Sequence, residues 1–248
     1  MTKLGIFFET NDKAPVFPII PFFPLFLHFN RMSMLDYTSF LFNPVFGENT
    51  YVVYDETKEC VIIDPGCSSP REEERLFSFI DSNRLKPVMV LNTHGHIDHI
   101  MGNAAVCNRY HVKAAASAAA RPYFTDAEQQ FRFFGLQGQG TFPLPEGVLH
   151  DGDIVKVGTG QLEVIATPGH TEGCISFYAE VEGAVFTGDA LFCRNIGRTD
   201  MRGGDYERLC KSIRERLYHL PDDTDVLPGH GQMTSIGEEK DFNPFVMG

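Results

Sequence analysis

From Leu35 onward, short apolar runs alternate with turn residues. SFLFNPV (39–45), NTYVVYD (49–55) and ECVIIDPG (59–66) are rich in β-branched and aromatic positions and bounded by turn residues, so they predict strands. The charged, amphipathic stretch from Arg71 to Leu85 predicts a helix opened by Ser69-Pro70. PVMVLN (87–92) predicts another strand, and the residues from about Ile100 to Tyr110 another helix. Lys113 to Glu146 is Ala-rich, then rich in Phe, Gln and Gly. It has no clean period and is expected to form short helices and loops over one face. QLEVIAT, CISFYAE and AVFTG predict three strands in quick succession, Tyr206 to Leu220 a helix, and TDVLP a closing strand. Strands outnumber helices, and the helices fall between pairs of strands. That order predicts an α/β fold of two sheets with helices outside them.

The first 33 residues follow a different rule. Pro15, Pro18, Pro21 and Pro24 recur every third residue in APVFPIIPFFPLFLHF, which forbids a helix because each proline removes a donor and clashes with the preceding turn. A polyproline II strip for a partner groove is one reading. The favoured one is an extension (1–33) outside a single domain spanning 34–248, since Met32 and Met34 precede the first regular strand pattern. The chain carries 21 Lys+Arg against 33 Asp+Glu, a net charge of −12 over 248 residues. An acidic field of that size disfavours phosphate backbones and anionic membrane surfaces, so no nucleic-acid or membrane partner is expected. No apolar run reaches the roughly 20 residues of a membrane helix. Six cysteines without a CxxC pair read as reduced thiols, and a cytoplasmic protein is expected.

The candidate chemistry lies in one arrangement that occurs four times. A short apolar strand ends in a turn, and a metal-type ligand follows at once: VLNTHGHIDH, VIATPGH, VFTGD and VLPGH. Together they supply His94, His96, Asp98, His99, His170, Asp189 and His230, which account for five of the nine histidines. In extended backbone alternate residues share a side, so His94, His96 and Asp98 are expected to converge on one point while His99 reaches a second. Imidazole and carboxylate donors at this density suit Zn²⁺, Fe or Mn²⁺ rather than Ca²⁺. The other histidines, His28, His111, His150 and His219, have no such context.

The run His94-Gly95-His96-Ile97-Asp98-His99 resembles the HxHxDH signature of the metallo-β-lactamase superfamily, with His170, Asp189 and His230 matching its later ligand positions in order. The resemblance implies an αββα sandwich with two metals at one edge. One metal would be held by His94, His96 and His170, the other by Asp98, His99 and His230, with Asp189 bridging. Zinc β-lactamases usually carry cysteine where this chain has Asp189, which argues against them. TGDALFCRNIGRTDMRGGD and GQMTSIGEEKDFNPF resemble short glyoxalase II-type hydroxyacylglutathione hydrolases. That likeness implies a binuclear hydrolase, Zn²⁺ being the favoured metal, whose bridging hydroxide cleaves a small-molecule thioester of the S-lactoylglutathione type. Asp98 and Asp189 would act there first as ligands. Longer members carry a helical C-terminal domain that holds glutathione. This chain runs about 18 residues past His230, so that domain is expected to be absent. The alternative is a persulfide dioxygenase, similar over the same motifs including GRTD. It would use one iron at positions matching His94, His170 and Asp189, but such enzymes usually read PAHDY where this chain reads Pro228-Gly229-His230-Gly231.

Arg198 and Arg202 follow Asp189 on a glycine-rich loop and are candidates to hold a substrate carboxylate. An Arg198–Asp200 pair that stiffens the loop is an equal reading. Phe192, Tyr206 and the Phe-rich 131–134 stretch are candidates for an apolar wall, with core packing as the competing role.

Overall fold

A computed structural model of the chain describes residues 34–135 and 142–247. The extension expected over 1–33 lies outside the described residues. β1 (Asp36–Phe42), β2 (Glu48–Tyr54) and β3 (Glu59–Ile63) form an antiparallel meander. Helix α1 (Pro70–Ser82) leads to β4 (Lys86–Leu91), and α2 (Ile97–Ile100) and α3 (Asn103–Tyr110) lead to β5 (Lys113–Ser117). After α4 (Arg121–Thr125) and α5 (Ala127–Phe133), β6 (Gly147–Leu149) completes a sheet of order β1-β2-β3-β4-β5-β6. β7 (Ile154–Val157), β8 (Gly160–Ala166), β9 (Ile175–Ala179) and β10 (Ala184–Gly188) follow as a second antiparallel run. A small hairpin of β11 (Leu191–Phe192) and β12 (Asn195–Ile196) precedes α6 (Tyr206–Ser212). β13 (Asp225–Pro228), β14 (Thr234–Ser235) and α7 (Ile236–Phe242) then close a second sheet of order β14-β13-β10-β9-β8-β7.

Strand alternation explains the layering. Tyr51, Val53, Val61 and Ile63 of the first sheet meet Leu162, Val164, Phe177 and Phe186 of the second in a core between the sheets. The intervening residues Val52, Cys60 and Ile62 face outward onto Leu76, Phe77 and Ile80 of α1. On the other side Ile165, Val185 and Val226 face Leu209, Ile213 and Leu217. Both sheets are therefore apolar on two faces, and each fully buried aliphatic or Phe side chain contributes about 1.5–3 kcal/mol by leaving water. The result is the expected order of helix, sheet, sheet, helix. Among the described residues no helix is long and apolar enough to cross a membrane, and all six cysteines are free thiols.

Several elements depart from the expected boundaries. The stretch from Lys113 begins with an inner strand, because Ala114, Ala115 and Ala116 are buried in a strand paired on both sides with β4 and β6, and this context overrides alanine's weak strand preference. The helix expected from Ile100 starts at Ile97, breaks at Met101-Gly102 and resumes at Asn103. The helix from Tyr206 is α-helical only to Ser212 and widens into a π turn over Ile213–Leu217. α7, capped by Ser235 accepting from the Glu238 N–H, follows the strand expected to be last.

Candidate metal centre

The four ligand-bearing turns share one edge. β10 runs parallel to β13 and antiparallel to β9, which in turn opposes β8, so β8, β10 and β13 all end on the same side. β4 of the other sheet ends beside them, with the Ile175 N–H donating to Thr93 O and the Asn49 N–H to Gly229 O. His94 and His96 follow β4, Asp98 and His99 sit on α2, His170 follows β8, Asp189 follows β10 and His230 follows β13. All are buried except His230, which is half-buried. Gly229 permits the last approach, since a Cβ there would lie 2.5 Å from Asp189 Oδ1 and 2.7 Å from His99 Cε1.

The structure brings the seven side chains into two adjoining groups. In the first, His96 Nδ1 lies 2.8 Å from His170 Nε2 and 3.1 Å from His94 Nε2. In the second, His230 Nε2 lies 3.2 Å from His99 Nε2 and 3.3 Å from Asp98 Oδ2. Alternation alone would have put Asp98 with His94 and His96. Because α2 begins at Ile97, the backbone turns before Asp98, which joins His99 and His230 instead. Asp189 spans the groups: Oδ2 is 3.4 Å from His170 Nε2, while Oδ1 is 3.3 Å from His99 Nε2 and 3.5 Å from His230 Nε2.

The donor set fits divalent cations. Within each group the potential ligand atoms lie within 4.8 Å of one another. Asp189 Oδ1 is buried without a hydrogen-bond partner among the described residues, a costly state that a cation would relieve. Four rings are held from behind, as ligating imidazoles are. His94 Nδ1 meets Thr93 Oγ1 at 3.0 Å, and His99 Nδ1 meets Asp64 Oδ2 at 3.0 Å. His170 Nδ1 faces Arg198 O at 2.7 Å, and His230 Nδ1 faces Gly47 O at 3.2 Å.

Electrostatics separates the two groups. Burial and neighbouring imidazoles push the His94 pKa well below the ordinary histidine value, and burial with His170 takes His96 down to about 3. For His99 and His230 burial is the largest influence and opposes charge, but Asp189 and Asp98 together with the hydrogen bonds to carboxylates outweigh it, lifting His99 well above the ordinary value and His230 to about 10. Protons and a dication compete for these nitrogens. Folded-state pKa values raised in this way mean protons that are held below the pKa and must leave on binding. Affinity of the second group for Zn²⁺ is therefore expected to weaken progressively as pH falls below about 10, while His94 and His96 need give up no proton at neutral pH. Metal titrations at stepped pH check this, and equal pH slopes for the two positions would contradict it.

Two adjoining cavities open onto the cluster. One of about 300 Å³ is bounded by the ligands together with Phe46, Phe192 and Ile196. The other, about 580 Å³, is lined by His96, Tyr123, Gln130, Phe134 and Met201. Arg198 and Arg202 both line the larger one, and both are paired. Arg198 holds Asp200 through Nε and Nη2 at 2.7 and 2.8 Å, and Arg202 contacts Asp126 across the cavity. Phe192 and Phe134 take the wall positions considered for them, whereas Phe131 packs against Phe142 and Tyr206 donates to Phe245 O away from the cavities.

Sequence reasoning did not single out Asp64, Glu48 or Gln130. Asp64 accepts from the Thr93 N–H at 2.8 Å and braces His99. Glu48, wholly buried under the second group, has its pKa raised far above the carboxylate range by burial, and its Oε1 lacks a partner among the described residues. Only Asp64 carried a faint signal, lying at the end of a strand as the ligands do.

Four layers with a His/Asp cluster at one sheet edge define a metal-binding αββα sandwich. The chain belongs to the metallo-β-lactamase superfamily, whose family model matches residues 43–230. A hydroxyacylglutathione hydrolase, GloC of Haemophilus influenzae, is 37% identical over 202 residues, covering 81% of this chain and 93% of the relative. The solved structure of BLEG-1, a B3 metallo-β-lactamase, has a TM-score of 0.79 and 35% identity, covering 86% of this chain and 100% of that one. TTHA1623, solved in a di-iron-bound form, has a TM-score of 0.76 and 33% identity, covering 84% and 100%. The His/Asp cluster in this fold supports divalent metals.

Proposed function

We propose that the protein is a binuclear metallo-hydrolase that cleaves thioesters of the hydroxyacylglutathione type, with His94, His96 and His170 at one metal position and Asp98, His99 and His230 at the other. Asp189 carries the two-metal reading, because its two carboxylate oxygens face different groups of nitrogens. The likeness to GloC supports the substrate class. Zn²⁺ is the favoured metal, with the di-iron form of TTHA1623 supporting iron as the alternative.

Divalent cations held by these residues would supply Lewis-acid polarisation of the thioester carbonyl and a more acidic water. The chain fixes the geometry. Asp189 sets the spacing, and Arg198 O, Asp64 and Gly47 O stop three of the rings from turning. Phe134 and Met201 give both cavities a shared apolar wall. Arg198 and Arg202 offer guanidinium groups to a substrate carboxylate. Their present partnerships are solvent-screened ion pairs at the surface, so exchange is cheap. No side-chain nucleophile is required.

Three assays on the metal-loaded protein test the reading: loss of S-lactoylglutathione, oxygen uptake with glutathione persulfide, and opening of a β-lactam. Thioester loss without oxygen uptake is expected, with β-lactam turnover far slower. Oxygen uptake beside a negligible thioester rate would install the one-iron dioxygenase. Turnover of the β-lactam alone would place the chain among β-lactamases, the class of BLEG-1.

A further inference from the structure

His96 differs from the other four histidines in how it is held. Their outward ring nitrogens each meet an oxygen, but among the described residues no hydrogen bond reaches His96 Nε2. Its inward atom is Nδ1, bonded directly to Cγ, so the position of that atom follows the local backbone closely. The backbone is in turn fixed by Gln130 of α5. Gln130 Oε1 accepts from the Ile97 N–H at 3.0 Å, and Nε2 donates to Gly95 O at 3.0 Å and to Tyr123 O at 2.9 Å. Gly95 O and the Ile97 N–H belong to the two peptide groups that flank His96. One carboxamide, with both N–H donors and its oxygen engaged, thus pins both.

The third bond ties in the cavity wall. Tyr123, whose carbonyl receives it, sets its ring edge-on to His96 at 5.6 Å and donates its hydroxyl to Arg202 O at 2.9 Å. The fit at Gly95 is tight: a Cβ there would lie 2.6 Å from Tyr123 Cβ. Gln130 itself lines the larger cavity.

We propose that Gln130 is a positioning residue for the first metal position, orienting His96 through its two flanking peptides and coupling that ligand to the wall of the substrate cavity. The inference rests on the two-metal reading above. The test is a Co²⁺ titration followed by visible absorption. Gln130→Met removes all three bonds, and Gln130→Glu keeps the shape while replacing both donors with a carboxylate. Each is combined with His230→Ala, which isolates the first position, or with His94→Ala, which isolates the second.

Expected is about a tenfold loss of Co²⁺ affinity at the first position, the scale of outer-shell losses at metal sites, with an altered absorption band. At the second position the change should stay below about twofold, within the scatter allowed for an uncoupled site. Gln130→Asn, one methylene short of the loop, serves if Gln130→Met does not fold. Unchanged first-position affinity, or equal loss at both, overturns the clamp while leaving two metals in place. Wild-type protein that takes up a single Co²⁺ overturns the two-metal reading instead.

Discussion

Asp189→Ala is expected to lower thioester turnover by about a thousandfold or more, on the scale of losing ~4 kcal/mol of transition-state stabilisation. The buried carboxylate turns one oxygen toward each group of nitrogens, so its loss would remove a proposed ligand from both positions. It also takes away the anion that most strongly supports a charged His99 and His230. Asp189→Asn keeps the shape but loses the charge, so metal uptake and rate should both fall less far. Turnover measured beside metal content separates the cases. Two retained metals with a tenth of the wild-type rate would show that Asp189 does not set the spacing.

Metal removal is the second large effect. Ligands that bind only the folded chain stabilise it by RT ln(1 + [L]/Kd), about 4 kcal/mol at a thousandfold excess over Kd. In a domain of this size that corresponds to roughly 10 °C in melting temperature. Dialysis against a chelator should lower the melting temperature by about that amount, and Zn²⁺ should restore it. Without cations, the buried Asp98 and Asp189 keep protonated His99 and His230 as their nearest counter-charges. Complete metal loss with no thermal shift would mean that the loops are fixed by the sheets alone.

How much of this was visible beforehand depends on how local each signal is. ECVII announced β3 because its β-branched side chains fill both faces of an inner strand, and the four turns announced the edge where the ligands gather. KAAAS gave no strand signal, since alanine's place in β5 is decided by neighbours distant in sequence. The side-chain partners are harder still. Asp64 lies 35 residues from His99, and Gln130 lies 33 from Ile97, in a stretch whose pattern has no period. A residue that acts on a backbone N–H leaves no spacing rule in the chain, so only folded contacts disclose it. Asp98 shows the converse, where a local rule failed because a single helical turn began one residue too early for alternation to hold.

Arg198 has two roles that reside in different parts of one residue. Its guanidinium lines the cavity, while its main-chain oxygen steadies His170, and Gly47 O does the same for His230. A main-chain anchor survives any change of side chain. The side chain at this position can thus be exchanged without disturbing the ring behind it, whereas inserting or deleting one residue between Asp189 and Arg198 would displace the anchor itself. The loop should therefore diversify by substitution and resist changes of length, a route to new substrates that leaves the metal chemistry intact.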